Sequence, residues 1–83
     1  MSTKLFVGSL PWSVNNKTLE ETFQKHGTVI SAKVIMDRAT GRSRGFGFVE
    51  MENPSEAQNA MKALNNSELG GRNIVVNEAN ARD

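Results

Sequence analysis

Between Arg44 and Met51 the chain reads RGFGFVEM, and this octapeptide restricts the fold more than any other stretch. In an extended strand successive side chains alternate faces. Phe46 and Phe48 therefore point one way, and Gly45, Gly47, Val49 and Met51 point the other. Glycine lets a packed layer sit close to strand backbone, so Gly47, Val49 and Met51 are read as the side facing helices. Phe46 and Phe48 then lie on an open face. By area bookkeeping each ring left exposed forgoes roughly 1.5–3 kcal/mol of burial. An aromatic patch kept in water at that cost marks a binding surface.

The segments around this strand supply the rest of a domain. KLFVG (Lys4 to Gly8) alternates and reads as a first strand, with Leu5 and Val7 on one face and Lys4 and Phe6 on the other. VNNKTLEETFQKHG reads as a helix with Asn15 as N-cap, Val14 packing on Leu19 as a hydrophobic staple, and Gly27 as the stop. TVISAKVIMD reads as a second strand, with Ile30, Ala32 and Val34 inward and Ser31, Lys33 and Ile35 outward. After the loop DRATGRS and the RGFGFVEM strand, NPSEAQNAMKALNN opens with Asn53 at N-cap, Pro54 at N1 and Glu56 at N3. Ala57, Ala60, Met61 and Leu64 form its apolar stripe. SELGGRNIVVNEA is a turn and a last strand, with Ile74 and Val76 inward and Val75 and Asn77 outward. The order β-α-β-β-α-β, with one apolar stripe per helix, predicts an α+β fold. It is a ferredoxin-like sandwich: a four-stranded antiparallel sheet with both helices on one face and strands one and three in the middle. Residues 1–83 make one domain.

Bulk composition narrows the function. The chain has no cysteine, which excludes disulfides, zinc–thiolate sites and thiol redox chemistry. No apolar run approaches the ~20 residues of a membrane span. The opening MSTKLFVGSL lacks the features of a signal or transit peptide, so a soluble intracellular protein is expected, with the cytoplasm, best a bacterial one, as its compartment. Net charge is only +1, but Lys33, Arg38, Arg42 and Arg44 face a single acid, Asp37, within one stretch. Such a local cationic patch is either a footprint for phosphate or a solvated charge cluster.

LFVGSL (Leu5 to Leu10) and RGFGFVEM resemble the two signature segments of the RNA recognition motif, whose octamer is K/R-G-F/Y-G/A-F-V-x-F/Y. Met51 departs at the last position, which faces the core, and Ser9 stands where the family usually has Asn. The likeness runs through the element order and the LGGRNIVVNEA ending. Its wording is similar to small bacterial and cyanobacterial RNA-binding proteins and to plant organellar and glycine-rich relatives, although these residues include no glycine-rich tail. The resemblance implies that Phe6 and Phe46 each stack a base, that Phe48 lies against sugars, and that Arg44 pairs with phosphate. It implies a few nucleotides of single-stranded RNA as partner, a monomer, and a role in RNA metabolism such as an RNA chaperone. Single-stranded DNA shares the same π-faces and phosphates and stays open. Asn77 is a candidate for base-edge hydrogen bonds at the sheet border.

Other residues carry weaker signals. Lys4, Lys33, Arg38 and Arg42 divide between phosphate contact and plain solubility. Trp12 follows strand one and divides between stacking on RNA and packing over the sheet edge or a helix end, with packing the favoured reading. His26, the only histidine, is read as a side chain capping the first helix. No cofactor is expected. No His–carboxylate or Ser–His constellation and no phosphate-cradling glycine loop is present, so an enzyme is not expected either. A protein-interaction or self-association module using the same sheet face is the alternative reading.

Overall fold

A computed structural model describes residues 3–79. The outermost positions of the expected domain, 1–2 and 80–83, lie outside the described residues. The elements run β1 (Lys4–Gly8), α1 (Asn16–Gln24), β2 (Val29–Met36), β3 (Ser43–Met51), α2 (Pro54–Leu64), β4 (Glu68–Leu69), β5 (Arg72–Asn73) and β6 (Val75–Glu78). β2, β3, β1 and β6 form one sheet in that order, with every neighbouring pair antiparallel. The expected ferredoxin-like arrangement is therefore present, and β3 and β1 are its central strands.

Both helices start where the sequence places them. The Asn15 carboxamide accepts from the Thr18 N–H at 2.8 Å, and that of Asn53 accepts from the N–H groups of Ser55 and Glu56. These bonds satisfy donors that a helix leaves open in its first turn. Leu19 and Phe23 of α1 and Ala57 and Ala60 of α2 are buried with Leu5, Val7, Val34, Val49, Met51, Ile74 and Val76 of the sheet. Val14 joins the same cluster, as a staple residue should. Among the described residues no polar or charged side chain is buried, so the layer between helices and sheet is held by apolar contact alone.

The structure corrects the reading at four places. Ile30 does not point inward: it is 59% exposed. Val29 stands opposite Met51 and Ser31 opposite Glu50, so Ile30 is the extra residue of a bulge, and Val29 packs on the core in its place. Gly47 is small for a different neighbour than a helix. A Cβ there would collide with the Lys33 carbonyl oxygen and sit 3.0 Å from the Val34 Cα, both in β2. At the helix end, the main-chain N–H of His26 bonds to the Phe23 carbonyl, a turn of backbone where a side-chain cap was expected. The stretch before the last strand is more than a turn: β4 and β5 pair across Gly70–Gly71, and both glycines have positive φ, the two-residue hairpin geometry that favours this dipeptide.

Two side chains protect the sheet's open edges. On β2, the Val34 N–H donates to the Asn16 carboxamide oxygen at 2.7 Å. On β6, the Val76 N–H donates to the Asn65 carboxamide oxygen at 3.0 Å. Asn16 begins α1 and Asn65 caps the end of α2, so each helix covers a main-chain donor on one edge strand. Asn16→Ala and Asn65→Ala should each lose about 0.5–1.5 kcal/mol, the net worth of one hydrogen bond. In a domain of this size each kcal/mol lowers the thermal midpoint by roughly 4–8 °C, measurable by circular dichroism.

Candidate nucleic-acid interface

The β1–β3 pairing builds the open face. Phe6 lies opposite Phe48, and Gly8 lies opposite Phe46. The three rings form one cluster. Phe6 and Phe46 stack at 5.8 Å between centroids with 30° between planes. Phe48 meets Phe6 edge-on at 5.9 Å and Phe46 edge-on at 6.2 Å. All three distances lie in the range where aromatic pairs attract beyond simple area burial. The rings are half-buried, so mutual contact recovers part of the hydrophobic cost that full exposure would carry.

Gly8 shapes this cluster. A Cβ at Gly8 would stand 3.0 Å from the Phe6 ring, so that ring leans along its own strand over the bare glycine. In β3, pairing with β2 slips beyond Val34, where Met36 already stands opposite Ser43. Gly45 lies inside this irregularity with φ of 87°, a backbone region that glycine enters freely. Its carbonyl accepts from the Leu10 N–H at 2.8 Å and ties β3 to the loop after β1. The two octamer glycines thus answer different demands, conformation at Gly45 and space at Gly47.

Register joins residues far apart in the chain. Lys33 is opposite Phe48, Phe48 opposite Phe6, and Phe6 opposite Asn77. One row therefore crosses all four strands, with an ammonium at one end, two rings in the middle and a carboxamide at the other. At about 4.8 Å between strands the row spans roughly 14 Å. Lys4 shares the same face. Its ammonium lies 5.2 Å from the Phe48 ring centroid, and its strand partner is Glu50, an acid on the platform that the sequence reading did not single out. Strand alternation alone would have found it.

Arg44 and Arg42 stand apart from this row. Arg44 is exposed at the β3 irregularity, next to Gly45. Arg42 places its guanidinium 4.8 Å from the Trp12 ring centroid. Trp12 stands beside the start of α1 and the edge of β2 but stays 69% exposed there, and its described ring partner is that guanidinium. The two residues are thirty positions apart, and no local pattern announces the pair. The β2–β3 loop makes it. The Asp37 N–H donates to the Arg42 carbonyl at 2.7 Å, and the Gly41 N–H donates to the Asp37 carbonyl at 2.7 Å. A closed loop results, which holds Arg42 at the mouth of the strand pair.

Among the described residues no group of three His, Asp or Glu side chains is arranged to hold a metal ion. The open face offers instead stacked rings, cations and one terminal amide. The sequence profile of the RNA recognition motif matches residues 5–75. The chain belongs to the RNA recognition motif family. It is 51% identical to the chloroplastic 28 kDa ribonucleoprotein of Spinacia oleracea, over 98% of this chain and 35% of that protein. It is 50% identical to the mitochondrial glycine-rich RNA-binding protein 2 of Arabidopsis thaliana, over 99% of this chain and 52% of that protein. The crystal structure of the RNA-binding protein PG1 superimposes with a TM-score of 0.92 at 46% identity, covering 99% of both chains. The chain thus spans about a quarter to a half of the length of the curated relatives it matches.

These relatives overturn the expected cytoplasmic location. The spinach and Arabidopsis proteins are chloroplastic and mitochondrial respectively, and their likeness covers nearly all of this chain. A leader is a separate segment from the fold that it directs, so residues that build the motif carry no address.

The geometry of the platform is testable without a ligand. Gly8→Ala should push the Phe6 ring away from Phe46 while changing stability by less than about 1.5 kcal/mol, because the new methyl meets a ring edge that can swing outward. The altered ring-current shifts of Phe46 and Phe48 in proton NMR, beside a nearly unchanged melting curve, check this outcome.

Proposed function

We propose that residues 1–83 act as a single RNA recognition motif domain that binds single-stranded RNA through the open face of its sheet. The observation that carries this reading is the four-strand row from Lys33 through Phe48 and Phe6 to Asn77, with Phe46 stacked beside it. Unpaired bases offer flat faces to Phe6 and Phe46, and Phe48 lies against the sugar between them. Arg44, Lys4, Lys33 and Arg42 supply cations for phosphate, and Asn77 offers a carboxamide to a base edge. Stacking contributes roughly 1–3 kcal/mol per base and tolerates every base. Two stacks with two or three ionic contacts give an affinity on the order of micromolar.

The reading is of a binder, not an enzyme, since rings and cations recognise a strand without a general acid–base pair. It is also of a monomer, because one copy supplies the whole row. A weak, broad binder of this kind suits RNA metabolism, holding transcripts unpaired as a chaperone does. Relatives named as ribonucleoproteins and RNA-binding proteins support the choice of RNA. Single-stranded DNA presents the same bases and phosphates, and the 2′-hydroxyl is the group by which the two would be told apart.

Titration of labelled single-stranded RNA, single-stranded DNA and duplex RNA of equal length, read by fluorescence anisotropy, tests the reading. Single strands should bind and duplex should not, and Phe46→Ala should weaken the RNA complex by about 1–3 kcal/mol. Equal duplex affinity, or an unaffected variant, would sink it. A mass that rises with protein concentration and falls back in Phe46→Ala would assign the face to self-association instead. With about three phosphates contacted, log affinity should fall against log salt with a slope of roughly −2.

A further inference from the structure

Aromatic rings accept any base, so a preference among bases has to come from polar groups at the rim of the stacks. The described strands put one carboxylate on the open face, that of Glu50. It lies two residues beyond Phe48 on β3, opposite Lys4 on β1 and Ser31 on β2. A second row, Ser31–Glu50–Lys4, therefore runs beside the Lys33-to-Asn77 row, offset by about 7 Å along the strands.

The position is a costly one on a surface for nucleic acid. A carboxylate repels phosphate, and it accepts hydrogen bonds without donating any. Glu50 is half-buried, and among the described residues no hydrogen bond or ion pair engages its carboxylate. Lys4 stands across the ladder with its ammonium over the Phe48 ring, 5.2 Å from the centroid, which offsets the negative charge that a phosphate chain meets.

What an acceptor-only group recognises is a base edge that offers donors. Guanine carries N1–H and N2–H₂ side by side on its Watson–Crick edge, so both oxygens of one carboxylate are used at once. Adenine and cytosine each bring one amino group with a ring-nitrogen acceptor beside it, and uracil sets its lone N3–H between two carbonyl oxygens. In all three an acceptor meets the second carboxylate oxygen and is repelled.

We infer that Glu50 sets base specificity: its carboxylate accepts from N1–H and N2–H₂ of a guanine stacked on Phe6, and the platform prefers strands that carry this base. This inference rests on the platform binding single-stranded RNA. Phe6 lies opposite Phe48, so Phe6 and Glu50 are diagonal neighbours across the β1–β3 ladder, about 7–8 Å apart. The Phe6 ring leans toward Gly8, so a base lying on it turns its edge, not its face, to Glu50.

Hexauridine and four variants with guanosine, inosine, adenosine or cytidine at the third position are titrated by fluorescence anisotropy. Inosine keeps N1–H and lacks the N2 amino group. The guanosine strand should bind roughly 5- to 150-fold tighter than hexauridine, the worth of one two-donor contact to a base, with inosine in between. Glu50→Gln should abolish most of that preference while hexauridine binds no more weakly than to the parent, because the substitution removes a negative charge from the face. Glu50→Asp should keep part of it. A parent that binds guanosine and uridine strands alike overturns the role of Glu50 while RNA binding stands, and that comparison needs no variant to fold. A Glu50→Gln protein that keeps the full preference overturns it as well. So does one that loses affinity for every strand together with its melting temperature, which would assign Glu50 to sheet pairing with Lys4. No anisotropy change with any strand would instead remove the platform reading and this one with it.

Discussion

The antiparallel pairing of β1 with β3 is the constraint on which the rest depends. It sets Phe6 against Phe48 on one face and, one residue along, Leu5 against Val49 and Val7 against Gly47 on the other. The same ladder therefore fixes the stacking platform and the centre of the core. A slip of one residue would exchange the two faces, burying three rings beneath the helices and exposing the aliphatic row. Burial of Leu5, Val7, Val49 and Met51 against both helices opposes that slip. Stability of the core and availability of the platform thus have one physical origin.

Glycine enforces the arrangement from the side. Gly47 lets β2 lie against β3 with its Lys33 carbonyl where a side chain would otherwise stand. That closeness carries Lys33 to the edge of the aromatic cluster. Gly8 serves the opposite face, where the Phe6 ring occupies the space above it. The sheet's margins are then closed by Asn16 and Asn65, one from each helix, in the two halves of the β-α-β pattern. A face built to be open is in this way combined with edges that are not, which limits pairing between copies of the domain.

Much of this was legible in the sequence because its cause is local. Strand alternation placed Phe6, Phe46 and Phe48 together, Asn15 and Asn53 marked the helix starts, and Ile74 and Val76 were assigned to the core. Ile30 was misplaced because a bulge depends on the partner strand, which alternation within one strand does not contain. The ring partner of Trp12 was hidden for a similar reason: Arg42 arrives through a loop that closes on Asp37. The compartment was misread because a leader, when there is one, is not part of the fold.

The sequence by itself determined the order of elements, the side of each central strand that meets the helices, and the identity of the three rings. These follow from the period of two in a strand and the 3.6-residue period in a helix, both properties of neighbouring residues. Tertiary structure alone decided the row from Lys33 to Asn77, the edge caps, and the pairing of Arg42 with Trp12. Each of these joins groups brought together by strand register and loop closure, and that geometry exists only once the sheet has formed.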